Sequence, residues 1–132
     1  MPLNVARQGT TYPAISFLVE EDHVRRFASA VGDDGTFVSP TFVTAPELAA
    51  GLARVVADPD LGLDLARVVH GQQEYEWTRP VAIGERLTVR STIESIRAKG
   101  GLELLTLRTE MRDGQDELVV VGRSTLIVRA PT

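Results

Sequence analysis

The chain has 132 residues, a mass of 14.4 kDa and a net charge of −4 from 14 basic and 18 acidic side chains. At 43% hydrophobic and 24% charged it has the makeup of one soluble globular domain, long enough to bury roughly two-thirds of its unfolded surface, and not that of a disordered chain. The absence of cysteine removes disulfides, thiolate metal sites and a cysteine nucleophile; two histidines, His23 and His70, are too few for a histidine-rich metal cage; and with Lys99 the single lysine, no basic arm drives nucleic acid binding.

Residues 1–12 form a polar extension without the basic start and apolar run of a signal peptide. No apolar run approaches the roughly 20 residues that span a bilayer, so the expected location is the cytoplasm, away from membranes. Ile15 to Val19 is a short apolar run that predicts a first strand. Glu20, Glu21 and Asp22 place acid in the first turn of a helix, where the dipole favours it, and Val24, Phe27, Ala28 and Val31 make one apolar stripe before Gly32 ends it. A second helix is predicted from Pro46, with Leu48, Leu52, Val55 and Val56 on one side and Ala49, Ala50, Gly51 and Ala53 on the other. Only Glu47 and Arg54 are charged before Asp58-Pro59, so this helix is expected to be wrapped by other structure.

From Arg67 onward the period changes to two. Val69 to Trp77 alternates Gln72, Glu74 and Glu76 against Gly71, Gln73, Tyr75 and Trp77. Strands around Leu87 to Glu94, Leu105 to Met111 and Leu118 to Val128 follow, with turns at Gly100-Gly101 and Asp113-Gly114. Gly122, inside the last strand, marks a bulge or a close approach. An apolar helix and a long antiparallel sheet are reconciled when the sheet curls around the helix. The fold expected for residues 1–132 is thus a single α+β domain of the hotdog type, a curved antiparallel sheet wrapped around a long, largely apolar central helix.

Three stretches resemble the MaoC-like hydratase and dehydratase family, in particular its N-terminal, non-catalytic half-domains. They are Val69-His70-Gly71-Gln72-Gln73-Glu74-Tyr75 running into Arg79-Pro80-Val81-Ala82-Ile83-Gly84-Glu85-Arg86-Leu87, Ser39-Pro40-Thr41-Phe42 ahead of the buried helix, and Phe27-Ala28-Ser29-Ala30-Val31-Gly32-Asp33. The similarity covers about residues 13 to 129. In that family an aspartate and a histidine five residues later handle a water and its protons at an enoyl thioester. The aspartate matches Asp33, but the histidine position is Val38, and Gly35-Thr36 replaces Asn-Pro. Glu85 stands where aspartate is common in the family's Pro-x-x-x-Gly-Asp-x-Leu corner.

The resemblance implies an acyl-thioester-binding, non-catalytic subunit of an (R)-specific enoyl-thioester hydratase or 3-hydroxyacyl-thioester dehydratase, a lyase of fatty acid metabolism that needs no cofactor or metal. Its ligand would be an acyl thioester of coenzyme A or acyl carrier protein. Its partner would be a second copy or a catalytic MaoC-like chain, joined along the Val69 to Trp77 strand. Asp33, Phe42 and His70 are candidates for touching substrate, and Asp33, His70 and Glu47 for chemistry. Glu47 serves the alternative of a hotdog thioesterase, Asp33 with His70 that of a self-sufficient homodimeric hydratase. A binding or structural module without chemistry is the third alternative. Each residue also has an ordinary reading: Asp33 as a turn former, His70 as a hydrogen-bonded strand residue, Glu47 as a complement to a helix dipole, His23 as a solvated surface residue.

Overall fold

The computed structural model describes residues 2–129. Strand β1 (Ile15–Leu18) leads into helix α1 (Glu21–Val31). Two short helices follow, α2 (Thr44–Ala50) and α3 (Leu52–Ala57), and then strands β2 (Val68–Trp77), β3 (Arg86–Lys99), β4 (Leu102–Arg112) and β5 (Leu118–Val128). The strands form one sheet in the order β1-β3-β4-β5-β2, with every pair antiparallel.

Local chemistry accounts for the joints. Glu21 and Asp22 in the first turn of α1 pair with Arg25 and Arg26 one turn on, and Gly32 closes the helix in the left-handed region at φ 81°. Gly100 and Gly101, at φ 57° and 83°, supply the two positive angles that a tight β3–β4 hairpin requires. The β4–β5 turn differs from expectation. Its left-handed residue is Asp116 rather than Gly114, because the Asp113 carboxylate accepts from the backbone N–H groups of Gln115 and Glu117 and rounds the chain over five residues.

The sheet is best described by the rungs that cross its concave face. Val89, Met111, Val120 and Trp77 form one rung; Ser91, Thr109, Gly122 and Tyr75 the next; Ile93, Leu107, Ser124 and Gln73 a third. Register shifts in β3 between Ile93 and Ser95, and in β2 between His70 and Gln72, re-phase the strands. Ile96, Leu105, Leu126 and His70 therefore share a further rung. Apolar side chains gather in two clusters. One surrounds Phe42, Val43 and Met111 under α1, and the other surrounds Val55, Leu61 and Leu105 at the far end.

Three expectations need correction. The central helix is neither long nor continuous: a 3-10 turn at Pro40–Val43 leads into α2, Pro46 is its third residue, and Gly51 breaks it from α3 at φ −110°, ψ −78°. It is also wrapped on one side only, since Leu48 and Val56 remain 43% and 39% exposed while Ala50 and Val55 are buried. Residues 1–12 are not simply a polar extension. Leu3 and Tyr12 are buried in the second cluster, and Asn4 donates its backbone N–H to the Leu61 carbonyl.

A buried knot secures this N-terminal segment. The Asp58 carboxylate accepts from the Tyr12 hydroxyl at 2.7 Å, from the Arg7 guanidinium at 2.9 and 3.1 Å and from the backbone of Asp60. Burial would raise the Asp58 pKa, but the bonds from Tyr12 and Arg7 outweigh it and hold the carboxyl below its usual range. Burial beside that anion pushes Tyr12 up to about 12. A carboxylate with a depressed folded pKa stabilises above its unfolded value near 4, and that contribution fades as pH falls through the folded value. Asp58→Asn is expected to cost about 1–3 kcal/mol at pH 7, read by denaturant melts, and the gap from wild type should close below about pH 4.

Candidate functional site

Glu47 projects from α2 toward the sheet and is 4% exposed. Its Oε1 accepts from the Tyr75 hydroxyl at 2.7 Å and its Oε2 from the Gln73 side-chain amide at 2.9 Å. The single Tyr75 proton being committed to Glu47, the Thr44 hydroxyl 2.9 Å away donates to Tyr75. Gln73 in turn accepts from Ser124 at 2.6 Å, and Ser91 and Thr109 bond each other at 2.6 Å on the neighbouring rung. Burial, offset in part by Thr44 and reinforced by the Glu47 carboxylate, drives Tyr75 far above the ordinary phenol range.

Space for this carboxylate is made by missing side chains. A Cβ on Gly122 would lie 2.3 Å from Glu47 Oε2, and one on Gly51 would lie 3.0 Å from Ser91 Oγ. Gly122 therefore marks a close approach and not a bulge, since β5 keeps its register through it on both sides.

Asp33 lies just beyond α1, exposed, and its carboxylate accepts from Ser39 Oγ and from the backbone N–H of Asp34, both at 2.8 Å. Val38 is half-buried against the first apolar cluster. Val38 and Ser39 form one wall of an open cavity of about 460 Å³, whose other side is made by Val43, Trp77, Arg79 and Val81. That volume is in the range of small-molecule sites. Trp77 rests against Tyr75 with ring centres 5.5 Å apart, so the Glu47 network braces one side of the cavity. The Arg79 guanidinium on that wall is paired with Glu85 at 2.7 Å and Asp113 at 3.2 Å.

His70 is exposed near the other end of β2, roughly 20 Å along the strand from Trp77. Asp33 and His70 are thus not brought together within the chain. His70 and Glu47 both line a cavity of about 20 Å³, the size of one water, with Ser124 and Thr109. Phe42, a candidate for touching substrate, is 1% exposed and packs edge-on against His23, Phe27 and Phe17 at 4.8, 5.6 and 6.2 Å. It is core. His23 is correspondingly half-buried on Phe42 and not a solvated surface residue. Gln73, Thr44 and Ser124 were not singled out from sequence; the signal available was the inward strand row that Gln73 shares with Tyr75, opposite a glycine flagged for close approach. Among the described residues no group of three or more histidines and carboxylates is placed to hold a metal ion, and no helix is long and apolar enough to cross a membrane.

A sheet curled over a buried helix is the hotdog fold, and known structures share it. A chain of the C-terminally truncated HadBC complex, a (3R)-hydroxyacyl-ACP dehydratase from Mycobacterium tuberculosis, superposes with a TM-score of 0.80 at 23% identity, covering 92% of this chain and 96% of that one. A MaoC-like dehydratase superposes with a TM-score of 0.81 at 24% identity, over 95% of this chain and 43% of its own. Residues 6–121 match the family model described as the FAS1-like dehydratase domain region, and the chain belongs to that family, with the hotdog fold of the MaoC-like dehydratase above. It is 40% identical to a UPF0336 protein of Streptomyces avermitilis, covering 98% of this chain and 97% of that protein, and 35% identical to one of Clavibacter michiganensis. The first of these alignments runs over 147 positions against a chain of 132, so that relative carries residues this chain lacks.

Two outcomes follow for the Glu47 network. Gly122→Ala should destabilise by about 1–3 kcal/mol, because the new methyl forces Glu47 off its two donors, and Glu47→Ala should recover part of that loss in the double variant. With both tyrosines raised, phenolate absorbance in the folded protein should stay low through pH 10, where free tyrosine is half ionised, and rise there once urea unfolds the chain.

Proposed function

We propose that the chain is the acyl-thioester-binding, non-catalytic subunit of an (R)-specific enoyl-thioester hydratase or 3-hydroxyacyl-thioester dehydratase, working in the cytoplasm beside a catalytic MaoC-like hotdog chain. The observation that carries this reading is Val38. It stands on the wall of the 460 Å³ cavity, at the position where the family it resembles has the histidine that transfers protons. Valine has no proton to give, and the neighbouring Asp33 is engaged in holding Ser39. Hydration adds hydroxide to the β-carbon and a proton to the α-carbon of the enoyl thioester, and both transfers need a titrating group near neutral pH. In this reading the catalytic partner supplies that group. This chain contributes the apolar wall of Val38, Val43, Trp77 and Val81 against which the acyl portion of a coenzyme A or acyl-carrier-protein thioester lies.

The strand order supports a two-chain arrangement. β2 lies at a free edge of the sheet, with unpaired backbone groups open to another strand. Leu48, Val56 and Val69 are large apolar side chains left 43%, 39% and 45% exposed, and exposed apolar side chains of this kind suit a subunit contact. The neighbour from M. tuberculosis is itself a complex named for two Had chains.

A second reading, thioester hydrolysis with Glu47 as base, draws on the water-sized cavity that Glu47 shares with His70. It is the weaker of the two because both carboxylate oxygens already accept hydrogen bonds. One set of assays separates the readings. The purified chain alone should neither hydrate crotonyl thioesters nor hydrolyse acyl thioesters, and hydration should appear when a catalytic MaoC-like chain is added. Trp77→Ala in this chain should then raise KM for the acyl thioester about tenfold, the loss of one good apolar contact. Hydration by the chain alone would overturn the proposal. Hydrolysis abolished by Glu47→Ala would install the second reading.

A further inference from the structure

Among the described residues β2 pairs only with β5, so its other edge is free of partners there. Because Gln73, Tyr75 and Trp77 turn toward the helix, Gln72, Glu74 and Glu76 form a row on the outer face of that edge. Glu74 stands opposite Arg123 on β5, but Arg123 Nε is engaged with both carboxylate oxygens of Glu94 at 3.2 Å. Glu76 stands opposite Val121. Among the described residues neither glutamate is in an ion pair, and the Glu74 carboxylate accepts only from the Gln72 side chain at 2.7 Å.

We propose that this acidic row selects the partner: it disfavours edge-to-edge pairing with a second copy of this chain and favours a hotdog chain that presents arginine or lysine at the matching positions. The inference rests on the reading that another hotdog chain joins at β2, and it names what that chain must carry.

The geometry of a symmetric pair makes the case. Two copies continuing one antiparallel sheet are related by a two-fold axis, and residues facing each other lie on the same face, so the axis passes through a residue position. With the axis at Gln73, the two copies of Glu74 are diagonal neighbours. With the axis at Glu74 they face each other directly. With the axis at Tyr75, Glu74 of each copy faces Glu76 of the other. With the axis at Glu76, the two Glu76 side chains meet and Glu74 lies diagonal to them. Like charges in either relation disfavour the pair, and symmetry repeats most of these contacts. An axis at Gln72 or nearer Val68 avoids this, but it runs the irregularity between His70 and Gln72 of both copies through the contact and shortens it. Joining two chains of net charge −4 adds a longer-range repulsion in the same direction. A row of arginines or lysines opposite Glu74 and Glu76 converts every one of these contacts into an attraction.

The experiment uses the charge-reversed chain Glu74→Arg/Glu76→Arg as the basic partner. Sedimentation of wild type, of Glu74→Gln/Glu76→Gln and of an equimolar mixture of wild type with the charge-reversed chain reads each association, with circular dichroism confirming that every variant is folded. The expected result is that the glutamine variant self-associates at least about tenfold more tightly than wild type, that added salt narrows this gap, and that the mixture forms the mixed pair in preference to either homodimer. A wild-type homodimer as tight as the glutamine variant, a statistical mixture or no association in the mixture would each overturn the inference. None of these outcomes depends on hydration activity, so a chain found active alone would defeat the proposed function and leave the sedimentation result standing.

Discussion

The contact on which the rest depends is the approach of the broken central helix to one rung of the sheet. Ser91, Thr109, Gly122 and Tyr75 line up across four strands, and the turn from Glu47 to Gly51 settles onto them. Small and hydroxylic side chains are what that rung can tolerate. A buried carboxylate left without donors would be costly, and here Tyr75 and Gln73 satisfy both oxygens. The same bonds attach the edge strand β2 to the helix, and through Tyr75 they set Trp77 against the cavity that Val38 borders. Core, edge and cavity wall are thereby fastened at one point.

The two ends of β2 have different characters as a result. Its C-terminal end, at Trp77, borders an apolar cavity with Asp33 nearby and no imidazole within the chain's own wall. Its N-terminal end carries His70, which lines a water-sized cavity together with Glu47. His70 and the cavity beside Trp77 are thus kept apart.

Much of this architecture was legible in the residues. Alternation from Gln72 to Trp77 assigned the inward and outward rows, though not the shift at His70–Gln72 that re-phases Gly71 and Val69, and Gly32 and the Gly100-Gly101 pair marked joints that the backbone angles bear out. What periodicity missed are features decided by tertiary contact. Gly51 could be read as a small residue on a continuous helix; that the helix breaks there, packed so closely on Ser91 that a Cβ would lie 3.0 Å from its Oγ, is visible only once the sheet is in place. Phe42 reads equally as a ligand contact or as core until His23 and Phe27 are placed around it. The polar look of residues 1–12 conceals Leu3 and Tyr12 because two buried side chains make no periodic pattern. The role of Gly122 was half visible. A glycine inside a strand announces an approach, but not that the visitor is Glu47.

The arrangement of the strands also governs the order in which the chain can complete itself during synthesis. β2, made midway, must wait for β5, the last strand, before any of its backbone is paired. Leu3 donates its backbone N–H to the Glu103 side chain and is buried with Leu105, Leu126 and Val128. The edge strand therefore emerges unpaired and finds its partner only when β5 arrives, whereas the N-terminal segment can already dock on Asp58, Leu61 and β3. A translational pause or a truncation within β5 would leave β2 open along both edges, ready to take another chain's edge in place of its own.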